Sequence, residues 1–164
     1  MKVTFTVTES PFGRLLLAAT MQGVCSVMIG DSETDLINHL RDRFPMAQIE
    51  RDDAHLRLQV KKLFDYLNGQ VPHADLPLDV QGTAFQMRVW EELRRIPRGQ
   101  RISYGELARR IDKPKAIRAV ARACATNPVA IITPCHRVVG KNGDMTGYRW
   151  GIETKRLLLE KETA

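Results

Sequence analysis

The chain has 164 residues, 43% hydrophobic and 27% charged, the balance of an ordinary globular protein with enough length for one large domain or two small ones. No apolar run approaches the roughly 18 residues needed to span a bilayer, and the N-terminus alternates instead of forming a signal-peptide core, so a cytoplasmic protein (nuclear if eukaryotic) with no membrane partner is expected. The formal charge of +6 is uneven: residues 1–78 sum to −2 and residues 79–164 to +8, which points the second half toward a polyanion such as nucleic acid.

Val3, Phe5 and Val7 alternate with polar residues and predict a strand. Ser10-Pro11-Phe12-Gly13 reads as a turn, Arg14 to Ala19 as a second strand, Met21-Gln22-Gly23 as another turn, and Val24 to Ile29 as a third strand. Three short strands with tight turns make an antiparallel meander. Ser32-Glu33-Thr34-Asp35 opens a helix with Leu36, Ile37, Leu40 and Phe44 on one face, ended by Pro45. Asp53 is the expected cap of a second helix carrying Leu56, Val60, Leu63, Phe64 and Leu67, closed by Gly69. Val71 to Leu78, with two prolines and no periodicity, reads as a linker between domains 1–78 and 79–164.

The second half reads as helical. Thr83-Ala84-Phe85-Gln86 has the form of a capping box before a helix with Val89, Trp90 and Leu93, broken by Pro97-Arg98-Gly99. Ser103-Tyr104-Gly105-Glu106 is a second capping box opening a short helix with Leu107 and Ile111. Pro114 suits the first position of a helix reaching about Ala125, and the pair makes a helix-turn-helix. Glu153 to Glu162 closes the chain as an amphipathic helix with Leu157, Leu158 and Leu159 inward. The expected fold class is α+β: a small N-terminal antiparallel sheet with helices, then an all-α C-terminal domain containing the helix-turn-helix.

The chain has three cysteines, Cys25, Cys124 and Cys135, too few and too widely spaced for a disulfide framework or a zinc site. Cys25 and Cys124 read as buried structural residues. Cys135 differs by its setting in Pro134-Cys135-His136-Arg137, where a thiol, an imidazole and a guanidinium interrupt the apolar run from Ile131 to Val139. A nearby base or positive charge lowers a thiol pKa and makes a nucleophile. Adjacent side chains seldom touch, so His136 is expected to act through a water and to be oriented by a carboxylate that composition does not identify.

The second half resembles the catalytic domain of the O6-alkylguanine-DNA alkyltransferases. The resemblance runs through Gly82-Thr83-Ala84-Phe85-Gln86, Val89-Trp90, Ile96-Pro97, Ser103-Tyr104, Lys113-Pro114-Lys115-Ala116, Arg118-Ala119-Val120, Asn127-Pro128, Pro134-Cys135-His136-Arg137-Val138 and Gly147-Tyr148. The first half resembles the family's N-terminal domain chiefly in its strand-turn pattern and in Gly13-Arg14-Leu15-Leu16-Leu17-Ala18. The resemblance implies a protein that takes alkyl groups from flipped-out bases in double-stranded DNA, chiefly O6-alkylguanine and possibly O4-alkylthymine, irreversibly and once.

It also implies roles. Cys135 is the acceptor, His136 its base, Glu162 the orienting carboxylate, Tyr104 the proton donor to the leaving guanine, and Asn127 the residue fixing the helix-turn-helix against the active-site segment. Arg118 would fill the gap left by the flipped nucleotide. Ala119, Ser103, Lys115 and Arg122 would face DNA at its minor groove. Pro134, Val138, Tyr148 and Arg149 would line the base pocket, with Arg149 bulkier than the small residue often found there. No metal and no cofactor are expected, and a monomer is. Two rivals remain: a protein that binds alkylated DNA without transfer, against which Cys135 argues, and a thiol hydrolase, which would not explain the basic helix-turn-helix.

Overall fold

The computed structural model describes residues 1–145 and 147–163; Thr146 and Ala164, both inside the expected second domain, lie outside the described residues. The chain divides into two compact units, Met1–Val80 with Pro128–Ala130, and Gln81–Asn127 with Ile131–Ala164. No helix among the described residues is long and apolar enough to cross a membrane.

The first unit is built on strands β1 (Lys2–Ser10), β2 (Gly13–Ala19), β3 (Val24–Gly30) and β4 (Gln48–Arg51), in the order β3-β2-β1-β4. The meander pairs antiparallel, with Phe5 opposite Ala18 and Leu16 opposite Met28. Leu15, Leu16, Leu17 and Ala18 are fully enclosed; each buried leucine contributes about 1.5–3 kcal/mol. The sheet is mixed rather than purely antiparallel, because β4 runs parallel to β1, with Val3 opposite Ile49. Gln48-Ile49-Glu50-Arg51 has one apolar residue, and on an edge strand the backbone ladder needs no more. Helix α1 (Glu33–Arg43) starts as expected, Ser32 accepting a hydrogen bond from the Asp35 N–H at 3.2 Å.

Asp53 does not cap α2 (Arg57–Leu67), whose N-cap is Leu56 without a side-chain bond. The Asp53 carboxylate accepts instead from Thr6 Oγ1 at 2.7 Å and Arg51 Nε at 3.0 Å, tying the end of β4 to β1. The expected linker ends against β3: the Val24 N–H donates to Pro77 O at 2.8 Å and the Asp79 N–H to Val24 O at 2.9 Å. Gly23 permits this approach, since a Cβ there would lie 2.5 Å from Pro77 O.

The second unit carries α3 (Ala84–Arg94), α4 (Tyr104–Arg110), α5 (Ile117–Ala125) and α6 (Ile152–Thr163). It is not wholly helical: Ile102–Ser103 (β5) and Val138–Val139 (β6) form a short parallel pair. The Thr83 capping box of α3 is reciprocal, with bonds of 2.9 and 3.1 Å to Gln86. Trp90 Nε1 donates to Ala123 O at 2.8 Å and holds α3 against α5.

Ser103 caps α4 by accepting from the Glu106 N–H at 3.0 Å, but the Glu106 carboxylate turns to Arg109 and Arg110, so the second capping box is half formed. Helix α5 begins at Ile117 rather than Pro114: Pro114 and Lys115 are the centre of a turn closed by the Ala116 N–H on Lys113 O at 2.9 Å.

Candidate active site

The segment leading to Cys135 departs from regular structure. Ile131 has φ 73°, a left-handed conformation that costs a β-branched residue about 1–3 kcal/mol. Cys135–Arg137 then forms one 3-10 turn, with the Arg137 N–H donating to Pro134 O at 3.0 Å. Three residues per turn send three consecutive side chains in three directions. That is why Cys135, His136 and Arg137, adjacent in sequence, serve different partners.

Cys135 is 7% exposed. Its Sγ accepts a hydrogen bond at 3.2 Å from Asn127 Nδ2, which also donates to Thr133 O at 2.7 Å. Asn127 lies just beyond the end of α5, so one side chain couples the end of that helix to the thiol. Burial pushes the Cys135 thiol pKa up; the Asn127 hydrogen bond and the Lys155 and Arg149 charges pull the other way.

His136 and Arg137 converge on Glu162. Glu162 Oε1 accepts from His136 Nε2 at 2.8 Å, Arg137 Nε at 2.9 Å and Arg137 Nη2 at 2.7 Å. Arg137 Nη1 also donates to Ile96 O at 2.6 Å. Burial raises the Glu162 carboxyl pKa, but His136 and Arg137 outweigh it and hold it at about 2. Burial lowers the His136 pKa, only partly opposed by Glu162, so the imidazole is neutral at pH 7. A carboxylate accepting at Nε2 fixes the proton there and leaves the Nδ1 lone pair as the base; Nδ1 is buried and has no hydrogen-bond partner among the described residues.

Above the thiol lies a cleft of about 530 Å³ lined by Tyr104, Ile117, Arg118, Ala121, Cys124, Ala125, Cys135, Gly147, Tyr148 and Arg149. One side is the α5 face at positions 117, 118, 121 and 125, where two alanines keep the wall low. The Arg149 guanidinium stacks on the Trp150 ring, 4.7 Å from its centre. Burial, with Cys124 and Cys135 nearby, pushes the Tyr104 phenol up to about 12, which keeps it protonated.

The site thus brings together Cys135, His136, Glu162, Asn127, Tyr104, Tyr148, Arg149 and Arg118. Pro134 and Val138 are buried and do not line the cleft; Val138 pairs with Ile102 behind it. The Ser103 hydroxyl is engaged as the α4 cap. Lys115, Arg118 and Arg122 are exposed, and no ion pair among the described residues neutralises them.

Two residues were not picked out by sequence reasoning: Arg137 as the clamp on Glu162, and Lys155, whose fully buried Nζ donates to Val138 O at 2.6 Å and Gly147 O at 3.3 Å. The signal for Lys155 was present in α6, where Lys155, Leu158, Leu159 and Glu162 share one helical stripe. Leu157, expected inward, is half-buried beside it. Among the described residues no group of three or more His, Cys, Asp or Glu is placed to hold a metal ion.

The second unit thus combines a buried Cys-His-Glu set with a helix-turn-helix whose exposed residues include Lys115, Arg118 and Arg122. Two family models cover nearly the whole chain: "6-O-methylguanine DNA methyltransferase, ribonuclease-like domain" over residues 3–80 and "6-O-methylguanine DNA methyltransferase, DNA binding domain" over residues 84–164. The Bacillus subtilis inducible methylated-DNA–protein-cysteine methyltransferase is 42% identical over 149 residues, 89% of this chain and 82% of that protein. The bifunctional transcriptional activator/DNA repair enzyme Ada of Escherichia coli is 44% identical over 162 residues, 99% of this chain; the chain spans only 46% of that protein's length. A Mycobacterium tuberculosis OGT crystal structure in complex with DNA superimposes with a TM-score of 0.79 at 37% identity, covering 97% of this chain and 92% of that one. The chain belongs to the 6-O-methylguanine DNA methyltransferase family.

Proposed function

We propose that this protein repairs alkylated double-stranded DNA by moving the alkyl group from the O6 oxygen of guanine, and secondarily from O4 of thymine, onto Cys135. The observation that carries this reading is the position of the Cys135 thiol at a cleft whose wall is the basic helix α5. An O6 alkyl group lies within the base stack, so the nucleotide must rotate out to reach such a thiol. The low alanine face of α5 allows close approach at the minor groove, and Arg118 fills the gap left in the duplex. Lys115, Arg122, Ser103 and Ala119 lie along the same DNA-facing side, contacting phosphates and sugars with little sequence preference. The M. tuberculosis OGT complex with DNA supports the same kind of partner.

In the transfer, neutral His136 takes the Cys135 proton at Nδ1 through one water, which the otherwise unpartnered nitrogen would hold. Glu162 stabilises the imidazolium formed. The sulfur attacks the alkyl carbon as the C–O6 bond breaks, and that electron pair leaves on the guanine. The Tyr104 hydroxyl gives its proton to the ring, and the proton taken from the thiol replaces it, so none is gained or lost overall. Asn127 orients the sulfur, and Tyr148 with Arg149 covers the base. The product is a thioether, a poor leaving group, so each molecule acts once, as a monomer, without cofactor. We place it in the cytoplasm with its DNA substrate.

Equimolar duplex carrying O6-methylguanine should add a single methyl group to the intact protein, at Cys135, with no further turnover. Cys135→Ala should bind the duplex and remain unmodified. Repeated turnover on an ester substrate, or wild-type protein that binds alkylated DNA without gaining mass, would refute the reading.

A further inference from the structure

Cys135 is held at both flanks by the end of one helix. Two residues before it, the Thr133 hydroxyl accepts from Arg94 Nη1 at 3.3 Å; two residues after it, Arg137 Nη1 donates to Ile96 O at 2.6 Å. Arg94 is the last residue of α3, and Ile96 lies just beyond. The helix is itself fixed, by its Thr83 capping box and by the Trp90 bond to Ala123 O. The backbone gives such bracing a reason: Ile131 sits at φ 73°, and a strained residue persists only where its surroundings over-determine it.

Thr133 is where these contacts meet. It is 0% exposed and ends the apolar run Val129-Ala130-Ile131-Ile132. Its carbonyl accepts from the Cys135 N–H at 2.8 Å and from Asn127 Nδ2 at 2.7 Å, and the same Asn127 nitrogen reaches Cys135 Sγ at 3.2 Å. A valine would fill the same volume without burying a hydroxyl, which costs free energy unless it is hydrogen-bonded. The Arg94 guanidinium meets that need while half-buried and without an ion pair among the described residues. Burial pulls its pKa down, against the through-space charge of Glu91. A charge partly withdrawn from water, given no carboxylate and aimed at a neutral hydroxyl beside the nucleophile, serves placement rather than stability.

We propose that Arg94 is a positioning residue for alkyl transfer. Through the Thr133 hydroxyl it fixes the carbonyl that seats both the Cys135 N–H and the Asn127 amide. The end of α3 thereby clamps the nucleophile from residue 133, while Arg137 on Ile96 clamps it from the other side. Arg94 touches neither the sulfur nor the base and exchanges no proton. The transfer part of this proposal rests on the alkyl-acceptor reading of Cys135; the clamp does not.

The test compares wild type with Arg94→Met, Thr133→Val, the double variant and Thr133→Ser. Methionine keeps the apolar stem of the arginine without its donors, and valine keeps the shape of the threonine without its hydroxyl. Three quantities are read: the single-turnover rate at saturating duplex O6-methylguanine, the affinity for that duplex, and the pH midpoint of Cys135 labelling by iodoacetamide. Thr133→Val leaves in place Arg94 and every charged or titratable group around the thiol: Tyr104 on α4, Cys124 on α5, Lys155 on α6, Tyr148 and Arg149 at the cleft, and its neighbours His136 and Arg137. A moved midpoint in that variant therefore reports the Asn127 bond to sulfur.

Arg94→Met and Thr133→Val should each slow saturated transfer by about tenfold and raise the labelling midpoint by about 0.5 pH units, a roughly threefold smaller thiolate fraction below it, with duplex affinity held within about twofold. The double variant should be no slower than either single one, since both remove the same bond. Thr133→Ser, which keeps the hydroxyl, should transfer within about twofold of wild type. A wild-type rate and midpoint in Thr133→Val overturn the proposal whatever its melting temperature. So do losses that multiply in the double variant, or an Arg94→Met defect confined to duplex affinity. If Arg94→Met does not fold, Thr133→Val set against Thr133→Ser decides by the same criteria. A raised midpoint in a protein that transfers no alkyl group supports the clamp and sinks the alkyl-acceptor reading instead.

Discussion

Glu162 satisfies His136 and Arg137 through a single oxygen, and its charge matters more than its hydrogen bonds. Glutamine at this position could still accept at Oε1 but would leave the Arg137 guanidinium buried without an anion. Removing one partner of a buried pair costs about 3–5 kcal/mol. Glu162→Gln should fall at the low end, with a Tm lowered by about 6–12 °C for a chain of this size.

The acid limb of stability should change as well. The Glu162 carboxyl is held at about 2, below its ordinary value of about 4.3. Its contribution is therefore complete above that ordinary value and disappears as pH falls through 2. His136, pushed down by burial, adds a loss that begins below about pH 6.5. Urea titrations from neutral pH to pH 2 should show a shallower acid slope for Glu162→Gln than for wild type; parallel slopes would exclude the ion pair as its source.

At this scale Cys135 and His136 were legible in sequence, because a polar triplet inside an apolar run asks for a reason. Glu162 was legible only through family resemblance, since an acid near a chain end otherwise reads as solvated surface. Lys155 was hidden by a choice among three consecutive leucines, which drew attention to residue 157 and away from the stripe through 155, 158, 159 and 162.

Helices α4 and α5 show what elements reveal and conceal. Their existence follows from apolar spacing, and their order from the turn between them. Their ends do not, because Pro114 serves equally well as a helix opener or as the second residue of a turn, and the Ala116 N–H bond to Lys113 O decides for the turn. Strand β4 was missed for a related reason: an edge strand with one apolar residue has no alternation to read. The later start leaves Arg118 in the first turn of α5, exposed at the lip of the cleft. Arg118→Ala should therefore impair repair of a duplex lesion by about tenfold, the scale of losing part of the compensation for an unstacked base, while attack on the free alkylated base changes by less than about twofold. Single-turnover rates on the two substrates measure this, and equal losses on both would assign Arg118 to the cleft rather than the duplex.

Over the whole molecule the charge is divided, −2 in residues 1–78 and +8 in the remainder. Sequence established that asymmetry but not which cations are available, because it cannot show that Arg109 and Arg110 are taken up by Glu106 while Lys115, Arg118 and Arg122 are not. Three phosphate contacts from these residues would give a log–log slope of affinity against salt of about −2.7. Lys115→Ala should make that slope shallower by about 0.9 and weaken binding to every duplex sequence alike. Affinity measured across a potassium chloride series checks both values; an unaltered slope would remove Lys115 from the contact surface.

The Arg137 guanidinium, which spans Glu162 and the carbonyl of Ile96, has a consequence for cooperativity. A final helical turn ordinarily frays one residue at a time, since little is lost by each opening. Here the last turn of α6 cannot release Glu162 without exposing a buried guanidinium and freeing the His136 imidazole. Opening that turn and dismantling the Glu162–His136–Arg137 cluster are one event, so the proton relay proposed for Cys135 would be switched off as a unit whenever the helix end lets go.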